Sequence, residues 1–404
     1  MKRFWAGENL HNLLTKPLDE LVQLYPDKDR KNLARRRQEY KKKLGDAMER
    51  EPTKRVLKKE WEVSAFDRET NDWTTTMNHG YEYEADPASF DNIKAVPARI
   101  TPSRRKTQNR PFKKIAVFSD LQAGFRRVEN YQTGEIEMIT THDERAMRVA
   151  RHLIRDIAPE LIVNCSDSID AGEIGRFDRD ADHFWRTLSP SFQAVHDYYA
   201  ELRSDNPNAR IVEVASNHNE RIAKYVLKNV PDFYGLQRAN TNSLYPVLTY
   251  PYLANLEHVG VEWIAGYPSA EFIYGQEYGA TPIVFRHGTE NSSNGTTAGK
   301  VMKNHPETHN VHGHDHSMSE AWHTPRSGNP IASLVIGALC KTNGIVPSYH
   351  SSVDDNGNMV HHQENWQQSI GEITDYMNGV YDFRQIQIID GVAYRDGKRY
   401  HADE

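Results

Sequence analysis

The chain reads as an α/β protein, and three observations predict that class. Short apolar runs at Ile115–Phe118, Leu161–Cys165, Arg210–Ala215 and Pro282–Phe285 have the length and composition of strands buried on both faces. Segments of helical period separate several of them, the alternation expected of an α/β body. Each run is followed at once by carboxylate, amide or imidazole side chains.

The totals fit such a body. At 404 residues the length suggests two or three domains, and 38% hydrophobic against 26% charged residues can fill a core under a polar surface. The most apolar run, Ile331–Cys340, falls short of the ~18 residues of a membrane span, so no membrane association is expected. The opening MKRFWAGENL has a basic pair but no apolar stretch behind it, which argues against a secretory signal. The two cysteines, Cys165 and Cys340, sit in apolar runs and read as small buried hydrophobes, in keeping with a reducing cytoplasm.

Charge is unevenly spread. Residues 1–60 hold 17 Lys and Arg against 10 Asp and Glu, a net +7 in a chain of net −6, so the remainder carries −13. Pro17–Tyr25 predicts a short helix with Leu18, Leu21, Val22 and Tyr25 on one face; Pro26-Asp27 breaks it. A second helix is expected over Asp29–Leu44, with Leu33, Ala34, Arg37 and Tyr40 inward and Arg30, Lys31, Arg35, Arg36, Lys41, Lys42 and Lys43 around the rest. A short helix, a break and a basic second helix is the layout of a helix-turn-helix module, with those seven cations as candidate nucleic-acid contacts and DNA as the expected partner. The stretch also loosely resembles small Myb-like DNA-binding units over about 35 residues. A solvated basic helix is the plain alternative. Residues 61–112 read as a linker with a small hairpin at Trp61–Val63 and Tyr81–Tyr83, followed by a polar stretch containing Pro97, Pro102 and Pro111.

From residue 113 to 404 the elements follow in order. The run Ile115–Phe118 ends at Ser119-Asp120-Leu121-Gln122. A helix follows, with capping-box spacing at Thr141 and Glu144, an apolar face of Ala146, Val149, Leu153 and Ile157, and Pro159 to stop it. Leu161–Cys165 ends at Ser166-Asp167-Ser168-Ile169-Asp170. A helical region over about 180–203 leads to Arg210–Ala215, which ends at Ser216-Asn217-His218-Asn219-Glu220. Pro282–Phe285 leads to Arg286-His287-Gly288, and Thr308–Val311 to His312-Gly313-His314-Asp315-His316. Here Gly313 is expected to provide a tight turn. Strands over 365–375 and 381–389, joined at Asn378-Gly379, form a closing antiparallel hairpin.

Five strand ends thus carry Asp120 with Gln122, Asp167, Asn217 with His218, His287, and His314 with His316. Ligands bind beyond the carboxyl ends of strands in open α/β sheets. This set offers enough oxygen and nitrogen donors for two divalent cations with a bridging aspartate, the arrangement that clamps a phosphoryl centre and readies a water. The ordered motifs resemble those of the calcineurin-like metallophosphoesterases over about residues 113–345. The resemblance implies a four-layer αββα sandwich of two mixed sheets, preceded here by the small helical N-terminal domain. It implies that Asp120, Asp167 and His316 hold one metal, and Asp167, Asn217, His287 and His314 the other. It gives His218 the task of protonating the leaving oxygen or stabilising its charge, with Asp170 orienting the ring. His312 is expected to be structural.

Three departures stand out. Gln122 occupies the place of a family histidine; its carbonyl oxygen is a harder, weaker ligand, favouring Mn²⁺ or Mg²⁺ over Zn²⁺, with Fe also open. Ser166 and Ser216 replace glycines, which matters only if those turns need positive φ. Glu220 lies one residue beyond the family's acidic position and receives no role. The family hydrolyses phosphomonoesters and phosphodiesters. The basic head tips the expectation toward a DNA nuclease of the DNA-repair branch; the partner ATPase of that branch, or a homo-oligomer, is not legible in the chain. The alternatives are a phosphomonoesterase acting on phosphoprotein or nucleotide, and a DNA-binding protein whose metal site has decayed.

Overall fold

The structure is a computed structural model that describes residues 18–25, 30–31, 33–35, 55–67, 72–83, 110–129, 136–175, 187–239, 242–279, 281–326, 328–343, 346–347, 352–353, 359–360 and 365–404. The chain divides into two units, Met1–Pro97 and Ala98–Glu404. In the first, helix α1 spans Leu18–Leu24, and residues 30–31 and 33–35 are again helical. Leu21 and Leu33 are buried while Arg30, Lys31 and Arg35 are exposed. Arg36, Lys41, Lys42 and Lys43 lie outside the described residues. Strands β1 (Arg55–Asp67) and β2 (Asp72–Tyr83) pair antiparallel from Arg55↔Tyr83 to Asp67↔Asp72, so the hairpin starts before Trp61.

The second unit contains β3 (Lys113–Phe118), β4 (Phe125–Glu129), β5 (Ile136–Thr140), α2 (Glu144–Ile157), β6 (Leu161–Asn164), α3 (Leu188–Asp205), β7 (Arg210–Val214), α4 (Arg221–Asn229), α5 (Tyr250–Leu253) and β8 (Val261–Ile264). It continues with β9 (Phe272–Tyr274), β10 (Ile283–Arg286), α6 (Thr297–Asn304), β11 (His309–His312), β12 (Ser319–His323), β13 (Ile331–Val335), β14 (Ser352–Val353), β15 (Met359–Val360), β16 (Gln368–Asp375), β17 (Tyr381–Ile389), β18 (Val392–Arg395) and β19 (Lys398–His401).

Two mixed sheets form the body. The larger runs β19-β18-β17-β16-β3-β6-β7-β8, parallel from β3 to β8 and antiparallel from β3 outward through β16. The smaller runs β12-β13-β11-β10-β9, with β10, β11 and β13 parallel. The period of two along a strand decides which layer each side chain joins. On β3, Ile115 and Val117 pack toward Phe285, Val311 and Leu334 of the smaller sheet. Ala116 and Phe118 face the other way, into a core with Val149, Leu153 and Leu202 of α2 and α3. Helix α6 packs on β12 and β13, completing an αββα sandwich. Among the described residues no helix is long and apolar enough to cross a membrane.

One local expectation is corrected. Helix α2 is capped by Asp143, whose carboxylate accepts from the amides of Arg145 and Ala146, rather than by Thr141. A carboxylate beside free amides at the positive helix end is the better cap. Helix α3 begins at Leu188; residues 176–186, where the earlier start was expected, lie outside the described residues.

Candidate metal centre

The parallel strands of both sheets deliver their carboxyl ends to one place. Just past β3 and β6 the two chains stay bonded without remaining strands: Asp120 N donates to Ser166 O at 2.7 Å, Gln122 N to Asp167 O at 2.8 Å and Ala123 N to Ser168 O at 2.8 Å. The opposite sheet's loop is tied in by Gln367 N donating to His316 O at 2.9 Å and His314 N to the Asp120 carboxylate at 3.0 Å. These bonds hold an unusual backbone. Asp120, Gln122, Ser166, Asp167, His314 and His316 all have positive φ, between 46° and 80°. For L-residues that region costs roughly 1–2 kcal/mol each, and strain of this kind collects where side chains must be aimed. The Ser166 turn therefore does need positive φ, and its serine is a real departure. At Gly313, where Asp315 N donates back to the Gly313 carbonyl at 2.9 Å in a tight turn, glycine is required by close approach: a Cβ there would meet Ser119 Oγ at 1.8 Å and Asp120 Oδ2 at 2.5 Å.

Nine predicted residues of this unit converge. Asp167 is central. Its Oδ2 lies 3.3 Å from Gln122 Nε2 on one side and 3.3 Å from His287 Nε2 on the other, and its Oδ1 accepts from the His218 amide at 3.0 Å. On the first side, His316 Nε2 lies 3.1 Å from both Asp120 Oδ1 and Gln122 Nε2. On the second, His287 Nε2 lies 2.8 Å from Asn217 Oδ1 and 3.1 Å from His314 Nδ1. Ligand atoms of Asp167, His287 and His314 fall within 4.8 Å of one another, a group able to hold a metal ion. His287 Nδ1 sits 2.8 Å from the Cys165 carbonyl, which only accepts, so Nδ1 carries the proton and Nε2 is left as the ligand nitrogen.

The donor set fits divalent cations. Gln122 Oε1 is buried and accepts no hydrogen bond, and Asp120 Oδ1 has the His316 ring at 3.1 Å beside it, an arrangement that favours a cation among them. The amide of Gln122 has N and O interchangeable by rotation, so its carbonyl can take the position 3.1 Å from His316. Burial works against ionising Asp120, but His316 and His287 outweigh it and hold the carboxyl below its ordinary range. Burial likewise opposes ionisation of Asp167; His218 and His287 carry it well below. Burial pushes the His314 imidazole down to about 4, a neutral ring with its lone pairs available. Burial disfavours charge on His287 as well, yet the Asp167 carboxylate raises it. Protons shared between such carboxylates and imidazoles are what a bound cation displaces.

His218 sits beside this group. Its Nε2 is 3.8 Å from Asp167 Oδ2 and its Nδ1 is 3.5 Å from Asp170 Oδ1. His312 is fully buried with Nδ1 3.1 Å from the Gly313 carbonyl, and burial pushes its imidazole down to about 4.

Three residues without an expected role belong to the centre. Arg221 places Nη2 2.8 Å from His218 Nε2 and donates from Nη1 to the Asp170 carbonyl at 2.6 Å. Glu213, fully buried on β7, accepts from Ser168 Oγ at 2.7 Å, Ser166 Oγ at 3.2 Å, Tyr199 OH at 2.7 Å, Tyr250 OH at 3.0 Å and Asn219 Nδ2 at 2.8 Å. It thereby grips both neighbours of Asp167. Burial raises its carboxyl above the ordinary range despite those bonds. Asp315 turns away from its flanking histidines and accepts from Ser292 N at 3.0 Å, Thr297 Oγ1 at 2.7 Å and Ser317 Oγ at 2.5 Å. A carboxylate between the buried Ile211, Val212 and Val214 was the available signal for Glu213.

A cleft of about 1300 Å³ opens over the centre, lined by Gln122, Asp167, Asn217, His218, His314 and His316 at its floor. No family model matches this chain, and no curated protein matches it. Two solved structures are similar to it in fold. A dimetal phosphatase from Danio rerio aligns at TM-score 0.32 and 13% identity over 72% of this chain and 97% of its own. The NAD nucleotidase of Haemophilus influenzae aligns at TM-score 0.29 and 10% identity over 72% of this chain and 53% of its own, so this chain spans about half its length.

Proposed function

We propose that this chain is a metal-dependent phosphoesterase that hydrolyses phosphodiesters, with DNA as its substrate. One observation carries the reading: the Asp167 carboxylate stands 3.3 Å from a group of each of two ligand sets, the position of a bridging ligand. Asp120, Gln122, Asp167 and His316 would hold one divalent ion, and Asp167, Asn217, His287 and His314 the other; Mn²⁺ suits a set with amide oxygens. Such a pair, when bound, supplies Lewis-acid stabilisation of the phosphoryl oxygens and a water ionised at neutral pH.

The chain's own residues do the rest. A guanidinium only donates, so the Nε2 of His218 accepts from Arg221 and its ring proton is on Nδ1, toward Asp170. His218 and Arg221 together put an imidazole and a cation where charge develops on a leaving oxygen. Asp170 keeps the ring oriented.

The exposed cations Arg30, Lys31 and Arg35, with Arg36, Lys41, Lys42 and Lys43 beside them in sequence, support recruitment to DNA through the first unit, since phosphate contacts supply most non-specific affinity.

The test is hydrolysis with Mn²⁺ of bis(p-nitrophenyl) phosphate, p-nitrophenyl phosphate and labelled DNA, comparing wild type with His218→Ala. The expected result is metal-dependent diester cleavage that the substitution abolishes. Equal inertness of both proteins on every substrate ends the enzymatic reading, and preference for the monoester moves it to phosphomonoesters.

A further inference from the structure

The cleft above the metal centre has a chemically distinct wall. Helix α4 turns Arg221, Lys224, Tyr225 and Lys228 toward it, at the three- and four-residue spacing that puts side chains on one helix face. Arg221 to Lys228 covers about 10 Å of helix axis, longer than a single phosphate group. The other side of the helix, Ile222 and Val226, is buried in the core, so the cationic face is fixed in direction. Among the described lining residues the carboxylates are Asp167, at the metal centre, and Asp315, held by three donors. The wall is therefore net positive in a chain of net charge −6.

Aromatic rings accompany the cations. Tyr225 is 43% exposed on the same face, Lys224 Nζ lies 5.3 Å from the Tyr267 ring centroid, and Trp366 stands across the floor against His316. Cations flanking an exposed ring, here Tyr225 between Lys224 and Lys228, make the pattern that binds a single nucleic-acid strand: phosphates on the cations, an unstacked base on the ring. His218 lies at the foot of this helix, next to Arg221, which puts the wall on the leaving-group side of the scissile bond.

We propose that the α4 wall binds a single-stranded segment of the substrate, taking the phosphates beyond the scissile bond on Lys224 and Lys228 and a base on Tyr225. This assignment rests on the phosphoesterase reading for the direction of the strand, and not for its binding.

Two measurements on the full chain test it. In the first, kcat/KM with Mn²⁺ is compared for bis(p-nitrophenyl) phosphate, a 12-residue oligothymidylate and a duplex of that length, in wild type and Lys224→Gln/Lys228→Gln. The expected loss is at least tenfold larger on the single strand than on the small diester, and the double variant's salt dependence on the strand is shallower by about 1.4 in log–log slope, 0.7 per lost phosphate contact. Equal losses on both substrates, or stronger action on the duplex, overturn the proposal. In the second, a 4-thiothymidine oligonucleotide is photocrosslinked in EDTA and the labelled peptides are mapped. Label on the α4 peptide is expected even from an inactive protein, which separates failure of the phosphoesterase reading from failure of this one. Label confined to residues 1–97 overturns it.

Discussion

The guanidinium of Arg221 lies 2.8 Å from Nε2 of His218, on the ring nitrogen that does not face Asp170. The pair sits at the junction of the metal centre and the cationic helix, so its removal reads on chemistry as well as on binding. Arg221→Gln is expected to lower kcat on a small diester by at least tenfold with metal content unchanged, and Arg221→Lys to recover part of it. Steady-state kinetics beside metal analysis decides: a loss confined to KM assigns Arg221 to substrate affinity instead.

If Gln122 is a ligand, as proposed, it sets the metal preference. Histidine tolerates the left-handed backbone at this position, where φ is 46°. Gln122→His is expected to raise Zn²⁺ affinity relative to Mn²⁺ by at least tenfold, because imidazole replaces an amide oxygen. Chelator competition measures the ratio. An unchanged ratio removes Gln122 from the ligand set.

Glu213 is a positioning residue beneath Asp167. Glu213→Ala strips the acceptor from five buried donors and is expected to destabilise the second unit by about 2–4 kcal/mol, since unsatisfied buried groups cost about 1–3 kcal/mol each and the site relaxes in part. Urea unfolding checks the stability. Weaker Mn²⁺ binding in the folded variant is expected too, because Ser166 and Ser168 flank the shared aspartate.

Glu372 on β16 gives the fold an acid limit away from the metal centre. Its carboxylate lies 2.7 Å from Lys114 Nζ and 2.8 Å from two nitrogens of Arg395. Burial alone would raise its carboxyl, but these partners bring it from 4.5 down to about 2. A carboxyl more acidic in the folded state stabilises above the unfolded value and loses that stabilisation as pH falls from about 4.5 to about 2. The full difference is about 3 kcal/mol by linkage. Melting at pH 6, 4 and 3 is expected to drop more steeply for wild type than for Glu372→Gln; parallel curves refute the assignment.

The strands were legible because doubly buried strands are plain apolar runs: Ile115–Phe118 and Leu161–Asn164 need no context to be seen, and the polar residues at their ends are the ones that converge. What was not legible is long-range. The pairing of Val117 with Gly371 joins segments more than 250 residues apart, and no local pattern announces it. Glu213 interrupts the apolar run Ile-Val-Glu-Val, which marks it as unusual, but its partners Tyr199, Tyr250 and Asn219 arrive from three other segments that no local pattern names. Arg221 and Lys228 carry no local signal of a role; it is the fold that turns their helix face onto the cleft. The closeness of Gly313 to Ser119 is likewise a tertiary fact that the local pattern does not announce.

The left-handed backbone at Asp120, Gln122, Asp167, His314 and His316 has a practical consequence. Glycine is the residue that this conformation prefers. A library of this chain screened for heat resistance without metal or substrate is therefore drawn toward glycine at positions 120, 122, 167, 314 and 316. The sturdiest survivors of such a screen are expected to be those that have discarded the side chains gathered at their own cleft.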